Sequence, residues 1–222
     1  MSRPSNRKCP AAPILFAFLF VSAAVLNAQQ AARSGDAAPS GLDPAARQPA
    51  SSIGLKFSGG WKIEAEGEDG GPKTLGALLG KGKAVVLIFL SARDPATLAC
   101  AERIARLGED CLKKSVTIVG VGVGRNETIQ ELKAIDEQYD WNFPVVRDAD
   151  QAIARGLKAR HTPQVMLLDS AGRVRYSGPI DDCWFDGRRV KDNSARNALD
   201  ALLAGKKISN PEPNYYGGES IR

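Results

Sequence analysis

Residues 84–90, Ala84-Val85-Val86-Leu87-Ile88-Phe89-Leu90, run directly into Ser91-Ala92-Arg93-Asp94-Pro95. A short continuous apolar run with β-branched content, preceded by Gly80-Lys81-Gly82-Lys83, reads as a strand buried on both faces. Such a strand belongs at the centre of a parallel-type sheet. Asp94-Pro95 then opens a helix, with Asp at the N-cap and Pro at the first helical position. Cys100, Ile104, Leu107 and Cys111 follow at i, i+4, i+7 and i+11, one stripe of that helix.

Working outward, Val116 to Val123 predicts the next buried strand. Glu127 to Tyr139 predicts a helix with Ile129, Leu132 and Ile135 spaced by three. Phe143 to Val146 reads as a short strand and Asp150 to Leu157 as a short helix. Gln164–Asp169 and Arg173–Tyr176 flank Ser170-Ala171-Gly172, which predicts a β-hairpin. Ser194 to Leu203 closes the fold as a helix with Ala198, Leu199, Leu202 and Leu203 facing inward. The order of elements is that of an α/β fold with a mixed central sheet flanked by helices.

Ahead of this domain, Arg3, Arg7 and Lys8 precede an apolar run from Ala11 to Leu26, and small Ala28 follows. Basic start, apolar middle and small exit residue are the pattern of a secretory signal peptide, residues 1–28. The run is 16 residues, short of the roughly 20 that a spanning helix needs. Cleavage after Ala28 would remove three of the 30 basic residues and none of the 25 acidic ones, taking the charge from +5 to +2. That leaves no electrostatic reason to expect nucleic acid. The expected location is periplasmic or secreted, and a membrane enters only if the signal stays uncleaved. Residues 29–52, rich in Ala, Pro, Ser, Gly and Gln, read as a flexible linker. The folded domain is expected over 53–205, and residues 206–222 as a Pro- and Gly-rich tail that wraps the surface.

Cys9 leaves with the signal, so the mature chain keeps Cys100, Cys111 and Cys183, an odd number where disulfides can form. On a continuous helix Cys100 and Cys111 stand about 16 Å apart, too far to be bridged. Their place in an apolar stripe argues for small buried hydrophobes.

The element order, together with VVLIFLSARDP, FPVVRDADQAIARGLKARHTPQVMLLDSAGRVRYSGPIDD, ALDALLAGKKI and the final GGESIR, resembles thioredoxin-like redoxins, the AhpC/TSA and peroxiredoxin-like proteins of bacteria. The resemblance covers about Ile53 to the C-terminus. Members of that family usually carry Cys-Pro at the strand-to-helix turn, Thr-Pro before the hairpin, Ile-Asp-Asp after it and Gly-Cys near the end. Here Pro95, Thr162-Pro163 and Ile180-Asp181-Asp182 are present, but the turn cysteine is Asp94 and the terminal pair is Gly218-Glu219. The second cysteine of a C-x-x-C pair would fall at Thr97. The resemblance implies that Thr162-Pro163 is the family's cis-proline step, beside the active-site turn.

A helix N-terminus would stabilise a thiolate at that turn and lower its pKa. Asp94 gains the same stabilisation without offering sulfur, and a capping role suits it. Three readings stay open. In the first, the domain is catalytically degenerate and serves as a binding or scaffold module, its partner a periplasmic protein or a small thiol ligand. In the second, Cys100 and Cys183 form a substitute couple for thiol-disulfide or antioxidant chemistry. In the third, Asp94, Thr162 and Cys183 line a small-ligand pocket. No cofactor is expected, and His161, the sole histidine, reads as a surface or loop residue unable to build a histidine metal cluster. Adjacent Asp181 and Asp182 are expected to point apart and serve turns and caps. Trp61, Trp141 and Trp184 read as packing residues.

Overall fold

The computed structural model describes residues 51–57, 60–63, 73–78, 82–215, 218, 220 and 221, all within the unit Pro49–Arg222. The signal and most of the linker read from the sequence lie outside the described residues. Two short strands, β1 (Lys62–Ile63) and β2 (Lys73–Thr74), pair antiparallel and lead into the short helix α1 (Leu75–Leu78). There follow β3 (Ala84–Leu90), α2 (Pro95–Lys113), β4 (Thr117–Gly122), α3 (Ile129–Tyr139), β5 (Val145–Arg147) and α4 (Ala152–Leu157). The hairpin β6 (Gln164–Asp169) and β7 (Val174–Gly178) and the last helix α5 (Ser194–Leu203) complete the order. The main sheet runs β5-β4-β3-β6-β7, with β3, β4 and β5 parallel and β6 antiparallel to both β3 and β7.

The central strand is buried throughout, as its apolar run requires, and its alternation divides the core in two. Ala84, Val86, Ile88 and Leu90 face α2, α3 and α5 through Cys100, Ile104, Leu107, Cys111, Leu132 and Leu199. Val85, Leu87 and Phe89 face the opposite layer, with Ile153 and Leu157 of α4 and Leu75 of α1. The stripe read along α2 is therefore its buried face. Trp141 donates its indole N–H to the Ala101 carbonyl at 3.0 Å and stacks on Phe143, while Trp61 meets Phe57 edge to face.

Several boundaries differ from the periodicity reading. Helix α3 begins at Ile129, not Glu127, because Thr128 caps it in a reciprocal box with Glu131, and Glu127 turns into the interior. Helix α4 begins at Ala152, not Asp150: the buried Asp148 carboxylate accepts from the amides of Ile153 at 3.2 Å and Ala154 at 2.9 Å. In α5, Ala195, Ala198 and Leu199 are buried, whereas Leu202 and Leu203 are only partly so. Among the described residues no helix is long and apolar enough to cross a membrane.

Candidate functional site

The turn between β3 and α2 lies at the C-terminal end of the central strand, where a parallel sheet opens its crevice. Asp94 is 1% exposed and adopts extended backbone at the N-cap of α2, with Pro95 following. Its Oδ1 accepts from the Ala96 amide at 3.0 Å. Its Oδ2 accepts from the hydroxyl of Thr97 at 3.2 Å and from that of Thr162 at 2.8 Å. Thr97 and Thr162 are buried too, and the Thr162-Pro163 peptide bond is cis. Asp94, Thr97, Thr162 and Pro163 thus meet in one place, and three donors already point at one carboxylate.

Glu127, which the sequence reading passed over as a helical residue, holds the turn from the β4 side. It accepts from the Ser91 hydroxyl at 3.2 Å and from the Ala92 amide. Burial pushes its carboxyl up, against the pull of those donors.

A second cluster lies where the end of the hairpin meets α2. Arg103 donates from Nε to Asp181 at 2.6 Å, and its Nη2 lies 3.0 Å from the Cys100 sulfur and 3.1 Å from the Cys183 carbonyl oxygen. Cys100, Cys111 and Cys183 are free and buried. Burial pushes the Cys100 thiol up to about 12, a larger effect than the downward pull of Arg103. Cys111, buried in the same stripe, is pushed up to about 12 as well. Asp181 and Asp182 do point apart: the first is buried against Arg103, and the second accepts from the Lys191 amide at the surface. Arg103 was missed in the sequence; its position three residues after Cys100, on the same helix face, was the available signal.

The C-terminal tail covers the cis-proline loop. The Tyr215 hydroxyl lies 2.9 Å from the carbonyl oxygens of both Thr162 and Pro163. Ser220 bridges to His161, and the Ile221 amide donates to the Arg160 carbonyl at 2.8 Å. His161 lies in the loop before β6 and is half-buried, with its ring flat against Tyr215 at 4.5 Å between centroids and 2° between planes. Burial pushes the Tyr215 phenol up, with Asp94 and Cys100 adding smaller charge effects in the same direction. Tyr215 too was missed, although the run Tyr215-Tyr216-Gly217-Gly218 marks a place where an aromatic anchor and close backbone approach occur together.

Thr162 borders a cleft of about 270 Å³ with Ser91, Arg93, Gly124, Gln151 and Ser220, whereas Cys183 borders a different hollow with Phe185 and Arg189. Asp94 lines neither, because Thr97 and Thr162 close over it. Among the described residues no group of three His, Cys, Asp or Glu side chains could hold a metal ion.

A buried strand-to-helix turn facing a cis-proline loop across a mixed five-stranded sheet is the arrangement the family resemblance implied, and the AhpC/TSA family model matches residues 59–177. The chain belongs to the AhpC/TSA family. This AhpC/TSA domain is similar to a hypothetical protein of Sinorhizobium meliloti 1021, at 25% identity and a TM-score of 0.67, covering 78% of this chain and 95% of that one. It is similar to an uncharacterized conserved protein of Geobacillus kaustophilus, also at 25% identity, with a TM-score of 0.64 over 77% and 91% of the two chains. The peroxidoxin BcpB of Mycobacterium tuberculosis shares the fold at 18% identity and a TM-score of 0.51, over 68% of this chain and 96% of that one. No curated protein matches the chain. The domain is thus a thioredoxin-like redoxin with a carboxylate at its strand-to-helix turn.

Proposed function

We propose that this chain is an exported AhpC/TSA-family protein without peroxidase or disulfide-reductase turnover, retained as a binding or scaffold module. The observation that carries the reading is the state of Asp94. At the helix N-terminus, where a thiolate would be stabilised for attack, the protein places a buried carboxylate whose oxygens accept from Ala96, Thr97 and Thr162. Peroxide or disulfide reduction needs an electron-donating sulfur, and a carboxylate has none to give. Its hydrogen bonds serve the helix cap and the cis-proline loop instead.

The competing reading, a thiol oxidoreductase using Cys100 and Cys183, draws on Arg103, which touches the Cys100 sulfur and the Cys183 backbone together. A guanidinium beside sulfur favours thiolate, but burial raises the Cys100 thiol to about 12 despite it. At neutral pH that thiol is almost wholly protonated and a poor nucleophile. Purified protein is expected to show no hydrogen peroxide consumption with a dithiol reductant, and no insulin disulfide reduction above a free-cysteine control. Turnover that vanishes in Cys100→Ala or Cys183→Ala would establish the oxidoreductase in place of the binding module. Export rests on the basic and apolar pattern of residues 1–28, and N-terminal sequencing of the envelope form is expected to begin at or near Gln29.

A further inference from the structure

The end of the tail lies along residues 160–163, and one of its rings covers the imidazole of that loop. Ile221 and Ser220 pair with the Arg160-His161 backbone, and the Tyr215 ring lies flat on His161 while its hydroxyl reaches Thr162 and Pro163. Gly218 sits so close to this loop that a Cβ there would stand 1.7 Å from the Thr162 carbonyl oxygen. We propose that the C-terminal segment is a proton-released latch, docked on the cis-proline loop while His161 is neutral and freed when His161 takes up a proton.

The charged and titratable groups around His161 set the sign. Arg160 adjoins it in the loop, with its guanidinium paired to Glu212 of the tail at 2.8 Å. Tyr215 faces it as a neutral phenol, and Asp94, on the far side of Thr162, is committed to Ala96, Thr97 and Thr162. Burial and then Arg160 hold the imidazole below its ordinary range. Cation–π attraction to Tyr215 would favour the charged form, but burial beside Arg160 outweighs it. Lifting the tail returns the ring to water and removes the burial effect, so proton uptake and docking oppose one another. Because the docked-state pKa is the depressed one, docking is at full strength above the free imidazole value of about 6.5 and weakens as pH falls through the docked-state value.

Release would do more than free a terminus. Ser220 and Ile221 form part of the wall of the 270 Å³ cleft that Ser91, Arg93 and Thr162 complete. An undocked tail therefore opens that cleft at the ends of the parallel strands and uncovers the carbonyls of Thr162 and Pro163. The latch needs only the tail and His161, and it holds whether or not the domain turns over peroxide.

The full chain carries one histidine, so its imidazole resonance can be titrated by NMR without assignment. The pKa of His161 is expected to be higher in Tyr215→Leu than in the wild type. Amide exchange of the C-terminal peptide, corrected for intrinsic rates, is expected to lose protection between pH 7.5 and 5.0 in the wild type and to show no such loss in His161→Phe. Linkage ties the two readings together: each unit of pKa difference corresponds to about a tenfold loss of docking on protonation. Equal His161 pKa values in wild type and Tyr215→Leu would overturn the latch. So would the same acid-induced loss of protection in His161→Phe. If His161→Phe fails to fold, the titration of wild type against Tyr215→Leu decides alone.

Discussion

Asp94→Cys tests the geometry of the turn most directly. The amide of Ala96 and the hydroxyls of Thr97 and Thr162, which now face the carboxylate, would face sulfur in the variant. Together with the start of α2 they favour thiolate, while burial opposes it, and a pKa of about 8 is a conservative expectation against the free value of about 8.5. Cys100, on the same helix and equally buried, is pushed up to about 12 and provides an internal reference. At pH 7.5 a thiol of pKa 8 is about one-quarter ionised, and Cys100 only about 3 parts in 100,000, a ratio on the order of 10⁴. The lower-pKa thiolate is intrinsically less nucleophilic by roughly 100-fold over that pKa gap, so a net advantage of about 100-fold in alkylation rate remains. Timed iodoacetamide labelling at pH 7.5, followed by peptide mass spectrometry, reads both thiols in one sample. The exchange also removes the N-cap oxygen that accepts from Ala96, so urea unfolding should show a loss of about 1 kcal/mol at unchanged m. A position-94 thiol that labels no faster than Cys100 would mean that the three donors do not converge there, and the assignment of this turn to the family's nucleophile position would fail.

Three further outcomes are expected. Arg103→Ala leaves Asp181, whose side chain is 2% exposed, without its cationic partner and should cost about 3–5 kcal/mol in urea unfolding near pH 8. Burial already pushes the Asp181 carboxyl up, so the variant's deficit should shrink towards pH 4 as that group protonates; a pH-independent loss would rule out an uncompensated charge. Gly218→Ala combines a φ of +81° with a clash against the Thr162 carbonyl, and should expose the tail to carboxypeptidase without lowering the unfolding free energy by more than about 1 kcal/mol; a protected tail would contradict the docked geometry. Trp141→Phe removes the indole N–H from the Ala101 carbonyl and should cost about 1–2 kcal/mol in urea unfolding; an unchanged stability would show that this bond adds nothing to the packing of α2.

What the amino-acid sequence determined by itself was the scaffold. Consecutive apolar residues at 84–90 can be buried on both faces only in a central strand, and the 3.6-residue stripe from Cys100 to Cys111 can be buried only as one side of a helix. Asp94 followed by Pro95 marked the start of that helix, because capping chemistry is local and involves neighbouring residues. Local information also misplaced the starts of α3 and α4. Thr128 and Asp148 decide those starts by bonding amides three to six residues onward, and apolar periodicity does not register such bonds. Which side chains bond to one another at the site was decided only by tertiary structure. Thr162 reaches Asp94 across 68 positions, Arg103 reaches Asp181 across 78, and Tyr215 reaches Thr162 across 53. The sequence put forward Cys100 with Cys183 as one couple, and Asp94, Thr162 and Cys183 as the lining of one pocket. The packed structure closed Asp94 under two threonines, brought Cys100 and the Cys183 backbone together on Arg103, lined the Thr162 cleft and the Cys183 hollow with different residues, and laid the tail along the cis-proline loop. Burial and long-range hydrogen bonds set the charge state and access of a site, and both arise only once distant segments exclude water together.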